Sequence, residues 1–208
     1  MIDLMQKGGP LMWVILVCSV AALGVFLERI VAFHRASINT GDMLRGLASV
    51  LRRGDFAEAL HECAATPGPV ARVAHAVILR HELPRNELRD VATEAGQLEV
   101  PRLERNLPIL AAMAYMTPLL GLLGTVLGLL QTFQSISVQG GNSTAPDIAA
   151  GVYTSLLSSA AALAVAIPAF LAYGFLSSRV NDFLRDMERA GIELLAVLDE
   201  VRARKPSR

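Results

Sequence analysis

Thr154, Ser155, Ser158 and Ser159 fall at i, i+1, i+4 and i+5 in a stretch that carries no charge from Ile148 to Ser178. On a helix this spacing gathers four hydroxyls on one face. Hydroxyls in an apolar helix have two uses. They bond back to carbonyls of the preceding turn and glue helices together, or they replace part of an ion's or proton's hydration in a pore. A further hydroxyl, Thr125, lies in the run GLLGTVLG. There Gly121, Gly124 and Gly128 allow close helix approach, Gly124 and Gly128 as a small-xxx-small pair. Ala162 and Pro168 lie further along the hydroxyl-bearing stretch. Residue type leaves both uses open. Thr125, Thr154, Ser155, Ser158 and Ser159 are candidates for an ion pathway, and Gly121, Gly124, Gly128, Ala162 and Pro168 for helix packing.

Other chemistry is not suggested. His34, His61, His75 and His81 make no metal-ligand spacing, and Cys18 and Cys63 make neither a CxxC pattern nor an expected disulfide. No Ser/His/Asp order and no glycine-rich phosphate loop stands out. The chain reads as a non-enzyme without metal or cofactor. Asn142-Ser143-Thr144 matches a glycosylation sequon, but beside Gly140-Gly141 it reads as a polar turn.

The elements that hold these residues follow from where charge is missing. Of 208 residues, 53% are hydrophobic and 18% charged, and 19 basic side chains balance 19 acidic ones. That balance excludes a nucleic-acid binder, which needs a basic surplus. Three apolar stretches, 10–33, 107–136 and 148–176, are each long enough for a transmembrane helix, which needs about 20 residues. The last two exceed that need and must tilt or project. The first lacks an A-x-A site and is expected as an uncleaved anchor rather than a signal peptide, with Trp13 at the interface.

Segment 34–105 has ten arginines and the chain after residue 178 has six plus Lys205, whereas 137–147 has none. The expectation is therefore an outward N-terminus (1–9) and an outward, periplasmic loop (137–147), with 34–106 and 177–208 in the cytoplasm. Within 34–106, Leu47, Val50 and Leu51, then Phe56, Ala59 and Leu60, repeat at helical spacing. Gly54-Asp55 and Pro67-Gly68-Pro69 break the pattern. Further helices are expected over 70–81 and 86–97. A tail helix over 179–204 continues the third span with an apolar stripe of Val180, Phe183, Met187, Leu194, Leu195 and Leu198. The fold class is an all-α membrane protein, three transmembrane helices with long helical cytoplasmic extensions.

No Asp, Glu, His, Lys or Arg lies in 107–136 or 148–176. Intramembrane ionisable groups mark proton relays, so these spans cannot pass a proton through a carboxylate of their own. Glu28 and Arg29, late in the first span, read as an interfacial pair.

The runs LERNLPILAAMAYMTPLLGLLGTVLGLLQTF and GVYTSLLSSAAALAVAIPAFLAYGF resemble the ExbB/TolQ/MotA family of ion-channel motor subunits. There the second span reads like PLLGLLGTVxGM and the third like GISEALxTTAAGLxVAIPAxxAYN. FLERIVAFHR and GDFAEALHECAATPGPVARV are similar to the end of that family's first span and to its cytoplasmic loop. The resemblance implies a homo-oligomer, a pentamer, in the bacterial inner membrane. Two copies of a one-span partner like ExbD or TolR would sit inside and carry a membrane Asp, with a TonB- or TolA-like protein taking up the work. By position, Thr125 matches the second-span threonine, and Ser158 and Ser159 match the paired threonines of the third. Ala162 replaces a usual glycine, and Thr154 stands where many members have a glutamate. The implied ion is H⁺, with Na⁺ an option for a hydroxyl ring. Import, envelope maintenance and motility stay open; the short cytoplasmic loop favours the first two. The alternative is a membrane scaffold that does not conduct.

Overall fold

The computed structural model describes residues 9–37, 39–138 and 145–204. The sequon, the turn at Gly140-Gly141 and residues 1–8 of the expected outward N-terminus lie outside the described residues. Among the described residues seven helices follow one another: α1 (Pro10–Ala36), α2 (Thr40–Arg53), α3 (Phe56–Ala65), α4 (Pro69–Leu79), α5 (Arg85–Leu103), α6 (Leu107–Val138) and α7 (Ala145–Arg204). They divide into two compact units. An apolar unit comprises Met1–Arg29 and Asn106–Leu176, and a charged unit comprises Ile30–Arg105 and Ser177–Arg208.

In the charged unit the helix ends are set by local chemistry. The Asn39 side chain accepts from the Asp42 N–H and starts α2. Gly54 ends it at φ 83, with its N–H reaching the Leu51 carbonyl and the Asp55 N–H reaching that of Val50, the left-handed cap that glycine adopts at least cost. The Asp55 carboxylate then caps α3, accepting from the Glu58 N–H at 3.0 Å. Gly68, at φ 122, precedes Pro69, the first residue of α4.

α5 is longer than the 86–97 expected from the sequence. Gly96 does not end it, and Pro101, inside the helix near its end, removes only one ladder donor. The core of this unit is apolar, with Leu47, Leu51, Val73, Val77, Ile78 and Leu88 fully buried alongside Leu194 and Leu198 of α7. Of the expected tail stripe, Phe183 is half-buried, edge-on to Phe33 at 5.6 Å, and the others are buried.

Ion pairs fasten the helices at their edges. Arg72 of α4 and Arg102 of α5 meet the buried Glu99 carboxylate at 2.5 and 2.7 Å. Arg52 and Arg85 meet Glu200 and Asp199 of α7 at 3.0 and 2.8 Å. Arg202 donates to the carbonyls of His81 and Leu83 in the α4–α5 turn, and the His81 ring stacks on Phe56.

The apolar unit is built differently. α1, α6 and α7 each contain a window long and apolar enough to cross a membrane. Their outward side chains are large and apolar: Val17, Leu119, Phe133 and Leu171 are 64–68% exposed. Apolar surface of this extent needs lipid or another chain to cover it. The charge-free stretches of the sequence thus coincide with helices whose outward side chains are large and apolar.

Candidate ion-pathway site

α6 and α7 pack antiparallel through a run of small residues. A Cβ added to Gly121 would stand 2.6 Å from the Ala162 Cβ and 3.3 Å from the Ser159 Cα. At Gly124 it would stand 3.0 Å from the Ser158 Cβ, and at Gly128 2.6 Å from the Ser155 Cβ. One turn further, a Cβ on Gly151 would overlap the Thr132 hydroxyl. The glycines face α7 residues whose backbone lies too close for any side chain between. Leu11 of α1 reaches Gly124 from a third side.

The hydroxyls divide along this seam. Ser155 and Ser158 are buried in it, and Ser159 crosses it, its Oγ donating to the Gly121 carbonyl at 2.7 Å. Thr125 and Thr154 stand at intermediate exposure. Each of the other four also donates to a backbone carbonyl of its own helix. Thr125 bonds to Leu122 (2.6 Å), Thr154 to Ala150 (3.0 Å), Ser155 to Val152 (2.7 Å) and Ser158 to Thr154 (3.1 Å). With their protons so committed, Thr125 and Thr154 offer acceptor capacity at their oxygens. Such oxygens suit a cation or a protonated carboxyl and disfavour an anion.

The structure therefore brings Ser155, Ser158 and Ser159 together with Gly121, Gly124, Gly128 and Ala162, and leaves Thr125 and Thr154 at intermediate exposure. Pro168 is apart from the glycines and exposed, lining an apolar cleft of about 520 Å³ with Ala22 and Phe26 of α1 and Ala172 and Phe175 of α7.

Two seam hydroxyls escaped the sequence reading. Thr117 is fully buried and Thr132 nearly so, bonded to the Met113 and Gly128 carbonyls. The signal was present: Thr117, Gly121 and Thr125, and Gly124, Gly128 and Thr132, recur every fourth residue. Among the described residues no group of three His, Cys, Asp or Glu could hold a metal ion. Cys63, in the charged unit, is buried, and burial pushes its thiol up to about 11, with the Glu62 carboxylate adding to the effect.

Residues 65–189 match the MotA/TolQ/ExbB proton channel family. The chain is similar to an ExbB homolog of Methanothermobacter thermautotrophicus, a biopolymer transport protein by name, at 26% identity over 90% of this chain and 66% of the relative. It is similar to the ExbB-like protein 1 of Synechocystis at 31% identity over 97% of this chain and 80% of the relative. To the Tol-Pal system protein TolQ of Haemophilus influenzae the identity is 39%, over 42% of this chain and 38% of the relative.

Proposed function

Because the chain belongs to the MotA/TolQ/ExbB proton channel family, we propose that it is the multi-span subunit of an inner-membrane ion channel. With a one-span partner like ExbD or TolR it couples the proton motive force to work on the outer membrane or envelope, such as TonB-dependent import. In this reading five copies form a ring lined by α6 and α7. The partner brings a membrane Asp, and a TonB- or TolA-like protein receives the output. The N-terminus faces outward and the C-terminus lies in the cytoplasm, a reading that the arginine placement supports.

One observation carries the reading. α6 and the first part of α7 offer hydroxyl oxygens with free acceptor capacity, Thr125 and Thr154 at intermediate exposure, but 107–136 and 148–176 hold no titratable acid or base. A proton path along them is complete only when another chain supplies the acid. Thr125→Val with Thr154→Val is expected to lower ion-driven work by about tenfold or more while co-purification with the partner persists. Full activity in that double variant would overturn the hydroxyl pathway. Sodium would use the same oxygens, and removing Na⁺ at a fixed proton gradient separates the two ions. A non-conducting scaffold is the second reading, favoured by the commitment of Ser155, Ser158 and Ser159 to the glycine seam. It predicts unchanged envelope function when the partner's acid is neutralised.

A further inference from the structure

Asn106 is the only non-glycine residue with positive φ among the described residues, at φ 64. It lies between the end of α5 and the start of α6, where asparagine and glycine enter the left-handed region at least cost. Its side-chain amide donates to Glu28 Oε2 of α1 at 2.7 Å, 78 residues earlier in the chain. Arg29 holds the same carboxylate, Nη2 to Oε1 at 2.6 Å and Nε to Oε2 at 3.3 Å, and is itself only 5% exposed. All three residues belong to the apolar unit.

We infer that Asn106 and Glu28 form a clamp that sets the rotational phase of α6, making Asn106 a positioning residue for the glycine seam and for Thr125. The first turn of α6 grows from Asn106, whose carbonyl accepts the Leu110 N–H. Each residue turns a helix by roughly 100°. A slip of one position would bring Leu120 or Leu122 where Gly121 now faces Ala162, and even a Cβ there comes within 2.6 Å. The seam admits one phase, and the left-handed residue, held by its amide to α1, supplies it. The clamp does not rest on the ion-coupling reading.

The test uses the complete chain in lipid nanodiscs with its partner. Asn106→Asp keeps a side chain tolerated at this φ but sets a carboxylate against Glu28. Asn106→Asp with Glu28→Gln conserves the charge beside Arg29 and restores the bond with donor and acceptor exchanged. Hydrogen exchange over 107–114 is expected to rise about tenfold in the single variant and to return to within about threefold of the parent in the double. Ion-driven activity per assembled complex is expected to follow the same order. Exchange reads the clamp whatever the channel conducts, so a failed clamp and a failed coupling are told apart. A single variant that does not assemble while the double does is the same rescue. Parental exchange in Asn106→Asp, a double variant no better than the single, or neither assembling would overturn the clamp.

Discussion

At Gly128 one added carbon would meet the Ser155 Cβ at 2.6 Å and its Cα at 3.2 Å, whereas at Gly46 of α2 it would meet nothing within 4 Å. Gly128→Ala is therefore expected to cost about 1–3 kcal/mol through overpacking. Gly46→Ala is expected to stabilise by about 0.5–1 kcal/mol through helix propensity. Unfolding of the detergent-solubilised chain compares them. The glycine run was legible in the sequence as a close-packing face. The sorting of the hydroxyls was not, because positions i, i+1, i+4 and i+5 span an arc wide enough to include both a buried seam and its rim. Ser155 and Ser158 fall inside it and Thr154 outside. Cys63 makes a separate prediction. Its thiol is raised from 9.0 to about 11, so the folded chain keeps the proton longer than the unfolded one. The stability this contributes is full below about pH 9 and is lost as pH rises toward about 11. The folded chain should resist alkylation at about pH 8, where thiolate is scarce, and Cys63→Ala should flatten the loss of stability on going to alkaline pH.

Among the elements, the boundaries carried by glycine, proline and capping side chains were readable. Gly54-Asp55 and Pro67-Gly68-Pro69 both separate helices. The extension of α5 beyond residue 97 to Leu103 was not; the helix runs through Gly96 and absorbs Pro101 near its end. Contacts between distant elements left no trace in the pattern. Nothing local marks Arg202 as the residue that bonds the His81 and Leu83 carbonyls, or Glu99 of α5 as the carboxylate that meets Arg72 of α4. Removing these donors leaves carbonyls poorly satisfied, so Arg202→Ala should destabilise the charged unit by about 1–3 kcal/mol in a denaturant titration. Arg202→Lys should recover only part of this: both bonds come from the one terminal nitrogen Nη2, and the lysine ammonium ends one bond shorter along the side chain.

For the whole molecule, a net charge of zero conceals a division between one unit rich in ion pairs and another whose outer surface is apolar. That division was legible because hydrophobic runs must match a bilayer's thickness. In the proposed reading, the hydroxyl-bearing helix pair, which holds no acid of its own over 107–136 and 148–176, takes one from a partner chain. The identity of that partner leaves no mark on one chain's sequence. The most direct measurement of the central claim is proton uptake into vesicles under an imposed gradient, with the chain alone, with its one-span partner, and with the partner's membrane Asp changed to Asn. Coupling through an acid supplied by the partner gives uptake only in the second case. Uptake by the chain alone, or undiminished uptake with the neutralised partner, would contradict it.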